Sequence, residues 1–355
     1  MNKNDFNDFI DAYDAYRLRH SNKKTDILRA VCVFERFLNS EQSLERQSDI
    51  HSYLAACHHR LNQYQEAIKH IEKSLEAVAD EGSYILAGEV NLTAIDILDS
   101  ILRSDNNDIN RPAIHMQLAI TFIRINAYDA AIGSIQEGLK IADKESVECC
   151  ALKVLEAEIT CYLDGKDNPE LYYNIYEQFE SHPNYFYVKA LISLGNADYS
   201  KDGLTQLGWY HKAIEYADGH RNLLAQAYIG LGNARYTDDN HTQSDWFLKA
   251  IEYADKDNNL LAQAYIGLGK AGYRDNSLEW YRIAYDRVAH AHYYPHEMQQ
   301  HDYIKAQACI GLGDFGHTDI WVERSNLWYD RALDYLGDKG PDELRNRATL
   351  GLQIK

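Results

Sequence analysis

The sequence predicts an all-α fold, an α-α superhelical solenoid of stacked antiparallel helix pairs. Long segments repeat almost letter for letter, apolar residues recur at intervals of three and four, and only 5 prolines interrupt 355 residues. Apolar residues at this spacing mark one buried face of a helix. A proline inside a helix removes a backbone donor and clashes with the preceding turn, so few prolines permit many helices. About eighteen helices and no strand are expected.

The clearest repeat lies in the C-terminal half. Residues 223–236 read LLAQAYIGLGNARY, and residues 260–273 read LLAQAYIGLGKAGY. Related segments contribute Leu-Gly pairs at 194/195, 312/313 and 350/351. Glycine inside a helix costs about 1 kcal/mol relative to alanine. Its repetition therefore predicts that a neighbouring helix approaches closely at these positions.

A second element alternates with the first and begins with tryptophan, at Trp209, Trp246, Trp280 and Trp328. From tryptophan to the next Leu-Gly pair the distance is 22 residues at three of these four positions. This regularity predicts two helices per repeat, because repeats of roughly 20 to 50 residues are stacked supersecondary units.

The N-terminal half is more divergent. Residues 54–75 and 118–139 share one apolar spacing, and most prolines stand near the start of an apolar run, where a helix tolerates them. We expect divergent helix pairs over 1–183, regular repeats over 184–340 with a histidine-rich insertion at 290–301, and a C-terminal capping helix over 341–355. The last segment could instead mark the point where further repeats would follow.

On these residues the chain resembles the tetratricopeptide repeat family, in the order of small, aromatic and aliphatic residues over 51–78 and 115–142. The C-terminal units are also similar to Sel-one-like repeats, although their spacing from tryptophan to Leu-Gly is longer. The resemblance implies a non-catalytic scaffold or adaptor that binds a protein or peptide on its concave face. The alternative is a peptide-sensing regulator, or a secretion or assembly chaperone of the same class.

In such a stack, the first helix of each pair lines the inner face. Its positions repeat an amide or amine, an isoleucine, a polar residue and an aromatic residue. The predicted peptide-binding residues are Lys189, Ile192, Asn196, Tyr199, Gln226, Ile229, Asn233, Tyr236, Gln263, Ile266, Lys270, Tyr273, Gln307, Ile310, Asp314 and His317. Amides could bond the backbone of an extended peptide while tyrosine and isoleucine receive its side chains. Alternatively, duplication copied these residues without any ligand.

Family members that clamp a chaperone tail need Lys, Asn and Arg at matching inner positions. The N-terminal repeats here hold Asp49, Tyr53, Ala113 and Gln117 instead, which argues against that ligand.

The net charge of the chain indicates which classes of partner are expected. With 54 Asp and Glu against 36 Lys and Arg, the formal charge is −18. Binding to a phosphate backbone depends on Lys and Arg, so nucleic acid is not expected, and a neutral to basic peptide is. No apolar run could span a membrane and the N-terminus shows no secretory signal. A cytoplasmic protein is expected, or one secreted by a signal-peptide-independent route.

No catalysis and no cofactor are expected, because no phosphate-binding loop or nucleophile motif occurs. The six cysteines are interpreted as reduced core residues. Two remote alternatives involve the insertion. Its four histidines, His290, His292, His296 and His301, could bind a transition metal. The pair Arg287 and His292 also matches the R-x4-H pattern of helical HEPN-type ribonucleases.

Overall fold

The all-α prediction is confirmed. The computed structural model describes residue 15 and residues 17–38, 47–81, 84–104, 106, 108–217, 219–238, 240–255, 257–289, 295–315, 322–337 and 340–353. These residues form seventeen α-helices and no strand. In chain order the helices are α1 (Lys24–Leu38), α2 (Gln47–Arg60), α3 (Tyr64–Glu81), α4 (Tyr84–Leu102), α5 (Arg111–Arg124), α6 (Tyr128–Ile141), α7 (Val147–Asp164), α8 (Pro169–Phe179), α9 (Tyr185–Asn196), α10 (Gln206–Tyr216), α11 (Arg221–Asn233), α12 (Gln243–Tyr253), α13 (Asn258–Lys270), α14 (Ser277–Ala289), α15 (Pro295–Phe315), α16 (Val322–Leu336) and α17 (Asp342–Gln353).

Helices that follow one another along the chain pack in pairs, as expected for a helical-repeat solenoid. In the second half the pairs are α9 with α10, α11 with α12, and α13 with α14, and α16 packs on α17. Helices two places apart along the chain are also in contact, namely α9 with α11 and α11 with α13. These contacts stack one helix pair on the next. The chain forms two compact units, one ending at Ala142 and the other beginning at Asp143. The predicted boundary at 183 concerns the regularity of the repeats and stays a prediction.

Aromatic rings pack against the repeated glycines. The residue after each repeat tryptophan wedges its ring between a glycine of one inner helix and a glycine of the next. The four wedges are Tyr210 between Gly195 and Gly230, Phe247 between Gly232 and Gly267, Tyr281 between Gly269 and Gly311, and Tyr329 between Gly313 and Gly351. A Cβ atom added to Gly230 would lie 2.2 Å from Cε1 of Tyr210. The predicted close approach is therefore made by a side chain of the intervening helix.

Three of the repeat tryptophans donate a hydrogen bond to the turn that follows an inner helix. The Trp209 indole donates to the carbonyl oxygen of Tyr199 at 2.7 Å, and Trp246 donates to that of Tyr236 at 2.9 Å. Trp280 makes the equivalent bond to Tyr273 at 3.1 Å. Backbone carbonyl groups at the C-terminal end of a helix have no hydrogen-bond donor within that helix. The tryptophan indoles supply a donor to these carbonyl groups.

Replacing Trp246 by phenylalanine removes this bond from a side chain that is almost wholly buried. We expect the free energy of unfolding to fall by about 1 to 3 kcal/mol, because the Tyr236 carbonyl loses its donor. Urea unfolding of the full chain measures it. Trp328→Phe is the matched control, since the Trp328 indole donates to no group within the described residues. Equal losses for the two variants would show that the hydrogen bond contributes nothing.

The cysteine prediction is correct for four of the six residues. All six are free, and Cys57, Cys149, Cys150 and Cys309 are buried. Burial raises the pKa of Cys57, Cys150 and Cys309 to about 12, which keeps these thiols protonated. Cys32 is exposed, so its assignment to the core was wrong, and Cys161 is half-buried. Cys32 lies on the face of α1 that is exposed to solvent.

Among the described helices, none combines the length and apolar character needed to span a membrane.

Candidate functional site

A groove of about 810 Å³ opens in the second compact unit. Three inner helices, α11, α13 and α15, contribute to its walls, and α12 contributes from between them. Five predicted residues line it, namely Asn233, Gln263, Ile266, Lys270 and Gln307. The remaining lining residues were not predicted: Arg235, Gln243, Phe247, Ala271, Tyr303 and Ile304.

The polar residues at the C-terminal ends of the inner helices have different partners in successive repeats. Asn196 accepts a hydrogen bond from the Tyr210 hydroxyl at 2.9 Å, and Asp314 accepts one from Tyr329 at 2.8 Å. At Asn233 the corresponding ring is Phe247, which has no hydroxyl. The Asn233 amide therefore has no side-chain partner within the described residues, and Asn233 lines the groove.

The predicted amine and amide row contains one ion pair. Lys189 bonds Glu158 at 2.6 Å, with both side chains about one-third exposed. Burial acts to lower the pKa of Lys189, but the charge of Glu158 and its hydrogen bond outweigh it and hold the pKa above the usual value. Lys189 is thus already neutralised, whereas Gln263 and Gln307 present amides to the groove.

The isoleucine positions differ from the prediction. Ile192, Ile229, Ile266 and Ile310 expose no more than 5% of their surface. Ile229, Ile266 and Ile310 belong to clusters formed with the next helix of the stack. A helix that has a packed helix on each side buries side chains on more than one of its faces. The isoleucine position therefore packs against a neighbouring helix. Of the four, Ile266 also forms part of the groove floor.

The predicted tyrosines are half-buried and packed on aromatic neighbours. The Tyr236 ring stacks on Trp246 with centroids 5.9 Å apart, and Tyr273 lies 5.9 Å from Trp280. The Tyr199 hydroxyl donates to Glu170 at 2.6 Å. These rings form the seam between helices and do not line the groove. His317 lies outside the described residues.

Lys270 is a charged residue of the groove lining. Its ammonium donates to Oε1 of Gln307 at 2.8 Å, so its partner is neutral. Part of the side chain stays in solvent, but desolvation by the surrounding walls lowers its pKa, Arg347 adds to the effect, and Glu343 opposes it. Arg235 is exposed on the turn after α11 and has a left-handed backbone, with φ of 55°.

Sequence reasoning missed a buried histidine cluster in the first unit. Nδ1 of His51 lies 2.8 Å from Nδ1 of His70, and the His58 ring stacks on His70 with centroids 5.3 Å apart. All three side chains are at most 9% exposed. Burial is the main cause that lowers the pKa of His51 and His70 to about 4, with help from Lys73. The sequence carried one signal, the seven-residue spacing of His51 and His58 on one face of α2.

The histidines of the insertion give no metal centre within the described part of the chain. His290 and His292 lie outside it, and the side chain of His296 is not described. His301 is buried in α15, where burial lowers its pKa to about 3. Across the described residues no group of three or more His, Cys, Asp or Glu is placed to hold a metal ion. The R-x4-H pair cannot be completed there either, because it needs His292.

Comparison with models of known families gives no match, and comparison with curated proteins gives none. Among solved structures, the chain is similar to the crystal structure of yeast Tom70, with 12% identity and a TM-score of 0.31. The alignment covers 98% of this chain and 96% of that chain. A similarity at this TM-score has no bearing on the function of this chain.

Proposed function

We propose that the protein is a non-catalytic scaffold or adaptor of the tetratricopeptide type, and that it binds an extended peptide segment of a partner protein in the groove of its second unit. The observation that supports this is the convergence of Asn233, Gln263, Lys270 and Gln307 on one cavity. They come from three successive inner helices and were selected as ligand-facing by the repeat pattern alone.

The chemistry of the lining suits a peptide backbone. The side-chain amides of Asn233, Gln263 and Gln307 can each donate to a carbonyl and accept from an N–H. Phe247 and Ile266 also line the groove, although both side chains are almost wholly buried. Packed helices lie about 10 Å apart, so three inner helices span about 20 Å, which is roughly six residues of extended chain.

The alternative function is that of a peptide-sensing regulator, or of a secretion or assembly chaperone. It would use the same groove and would additionally require that an occupied groove favours a second conformation. The location remains an expectation, cytoplasmic or secreted without a signal peptide. The preference for a neutral to basic partner follows from the net charge of the whole chain, and it concerns long-range attraction more than the groove itself.

The test uses the full chain and a synthetic array of random octapeptides. We expect wild type to retain a defined subset and the triple variant Asn233→Ala, Gln263→Ala, Gln307→Ala to bind that subset at least tenfold more weakly. A net hydrogen bond contributes about 1 kcal/mol, and each 1.4 kcal/mol is a factor of ten in affinity. Fluorescence polarisation of the best octapeptides gives the dissociation constants.

The matched control replaces three exposed amides elsewhere, Gln136→Ala, Asn222→Ala and Asn258→Ala. This variant is expected to bind as wild type does. If no octapeptide is retained, or if both triple variants bind alike, the groove is not the binding site.

A further inference from the structure

Resting on that function, we propose that the groove selects acidic segments, so that Asp and Glu side chains of the bound peptide meet Lys270 and Arg235. The partner class is thus an extended peptide that carries carboxylates, although the chain as a whole is acidic. This reverses, for the groove itself, the preference expected from net charge.

The described part of the lining carries two cations and no carboxylate. Among the described lining residues, Arg235 and Lys270 are the charged ones, and the others are amides, Ala271, Tyr303 and the apolar floor. The chain has 54 Asp and Glu against 36 Lys and Arg, so the charge of the described lining is opposite to that of the whole chain. A concave site lined by one sign of charge attracts the opposite sign more strongly than an open surface does.

Other charges at equivalent positions of the inner face are already paired. Lys189 is neutralised by Glu158 at 2.6 Å, and Asp314 forms an ion pair with Arg347. Lys270 occupies the same repeat position as Asp314 but forms no ion pair within the described residues, and Gln307 is its hydrogen-bond partner. Its charge is therefore available to a ligand.

Desolvation of Lys270 also favours an incoming anion, whereas its two charged neighbours act in opposite directions. Arg347 and Glu343, both on α17, are the charged groups that act on it, and with desolvation the net effect lowers its pKa. A carboxylate bonded to the ammonium would counter this desolvation and favour the charged amine. The carbonyl of Gly232 near the end of α11 is satisfied by the Gln243 amide at 2.9 Å, so it does not compete for a donor.

A peptide fits better than a nucleic acid. A phosphate backbone needs many cations along its path, and the groove offers two. Its amides and its apolar floor of Phe247, Ile266 and Ile304 instead match the alternating polar and apolar surface of an extended peptide.

The experiment uses the full chain and the octapeptide array with its acid content varied. We expect the bound octapeptides to contain at least twice the input frequency of Asp and Glu, with weaker binding as salt is raised. The double variant Arg235→Gln, Lys270→Gln is expected to lose this enrichment. Lys140→Gln with Arg282→Gln, two exposed cations paired only within their own helices, makes the same charge change and is expected to retain it.

Three outcomes would overturn the inference: bound octapeptides no richer in Asp and Glu than the input, an enrichment that survives the groove variant, or tighter binding of a single-stranded oligonucleotide at the same residues. If neutral octapeptides bind and the Asn233, Gln263, Gln307 variant abolishes their binding, the inference fails and the proposed function stands. If that variant changes nothing, the proposed function fails as well.

Discussion

Replacing Gly267 by alanine is expected to lower the free energy of unfolding by about 3 kcal/mol, although alanine is the better helix former. A Cβ atom at this position would lie 2.2 Å from Cε1 of Phe247, a ring held between Gly232 and Gly267 and only 1% exposed. Neither the ring nor the helix can move without disturbing the next repeat. Urea unfolding of the full chain measures the change.

Gly133 provides the control, because it lies in α6 with nothing within 4 Å of the added Cβ. There the substitution is expected to stabilise by up to about 1 kcal/mol, from helix propensity alone. Adding Phe247→Leu to Gly267→Ala should recover part of the loss, since a smaller side chain relieves the clash. Equal effects at Gly133 and Gly267 would contradict the wedge arrangement.

Acid is expected to destabilise the protein through the buried histidine cluster. The pKa values of His51 and His70 are lowered from 6.5 to about 4 in the folded chain. Between these values the unfolded chain binds more protons, so the free energy of unfolding falls as the pH decreases from 6.5 to 4 and is unaffected above 6.5. For a single histidine the loss is on the order of 3 kcal/mol.

Urea unfolding at a series of pH values checks this. His51→Phe with His70→Phe replaces both rings by apolar rings, and it is expected to flatten the profile between pH 6.5 and 4. The exposed His182→Phe variant should follow wild type. A double variant whose stability falls as steeply as that of wild type would contradict the assignment.

The sequence predicted the helical repeat because the same residues recur at a fixed period. The Leu-Gly pairs and the residue after each tryptophan recur together, so the signal for the wedges was present. Their pairing was not evident, because Tyr210 meets both Gly195 and Gly230, which lie on different helices. Periodicity marks a buried position but does not identify the atom that fills it.

The sequence selected part of the groove lining, and the binding role of those residues stays a prediction. Asn233, Gln263, Lys270 and Gln307 converge as the pattern suggested, because successive inner helices present equivalent positions on one side. Ile192, Ile229 and Ile310 pack against neighbouring helices and Tyr236 stacks on Trp246, so these side chains do not line the groove. Arg235 could not be found from the pattern of the inner helices, because it lies on the turn after α11.

The histidine cluster could not be predicted for a related reason. His51 and His58 are on one helix, but His70 joins them from the next, so the contact depends on how α2 packs on α3. Spacing along one helix predicts a shared face, whereas contact across two helices requires the fold.

The central claim, that the groove of the second unit holds a peptide, is tested most directly by site-specific crosslinking. A benzophenone amino acid is placed at Tyr303, which lines the groove, and in a second protein at Tyr162, which is 48% exposed on α7 and not part of the groove. Each is irradiated with the tightest octapeptide from the array. We predict a crosslinked product from position 303 and none from position 162. Equal crosslinking at both positions, or a product from position 162 alone, would contradict the claim.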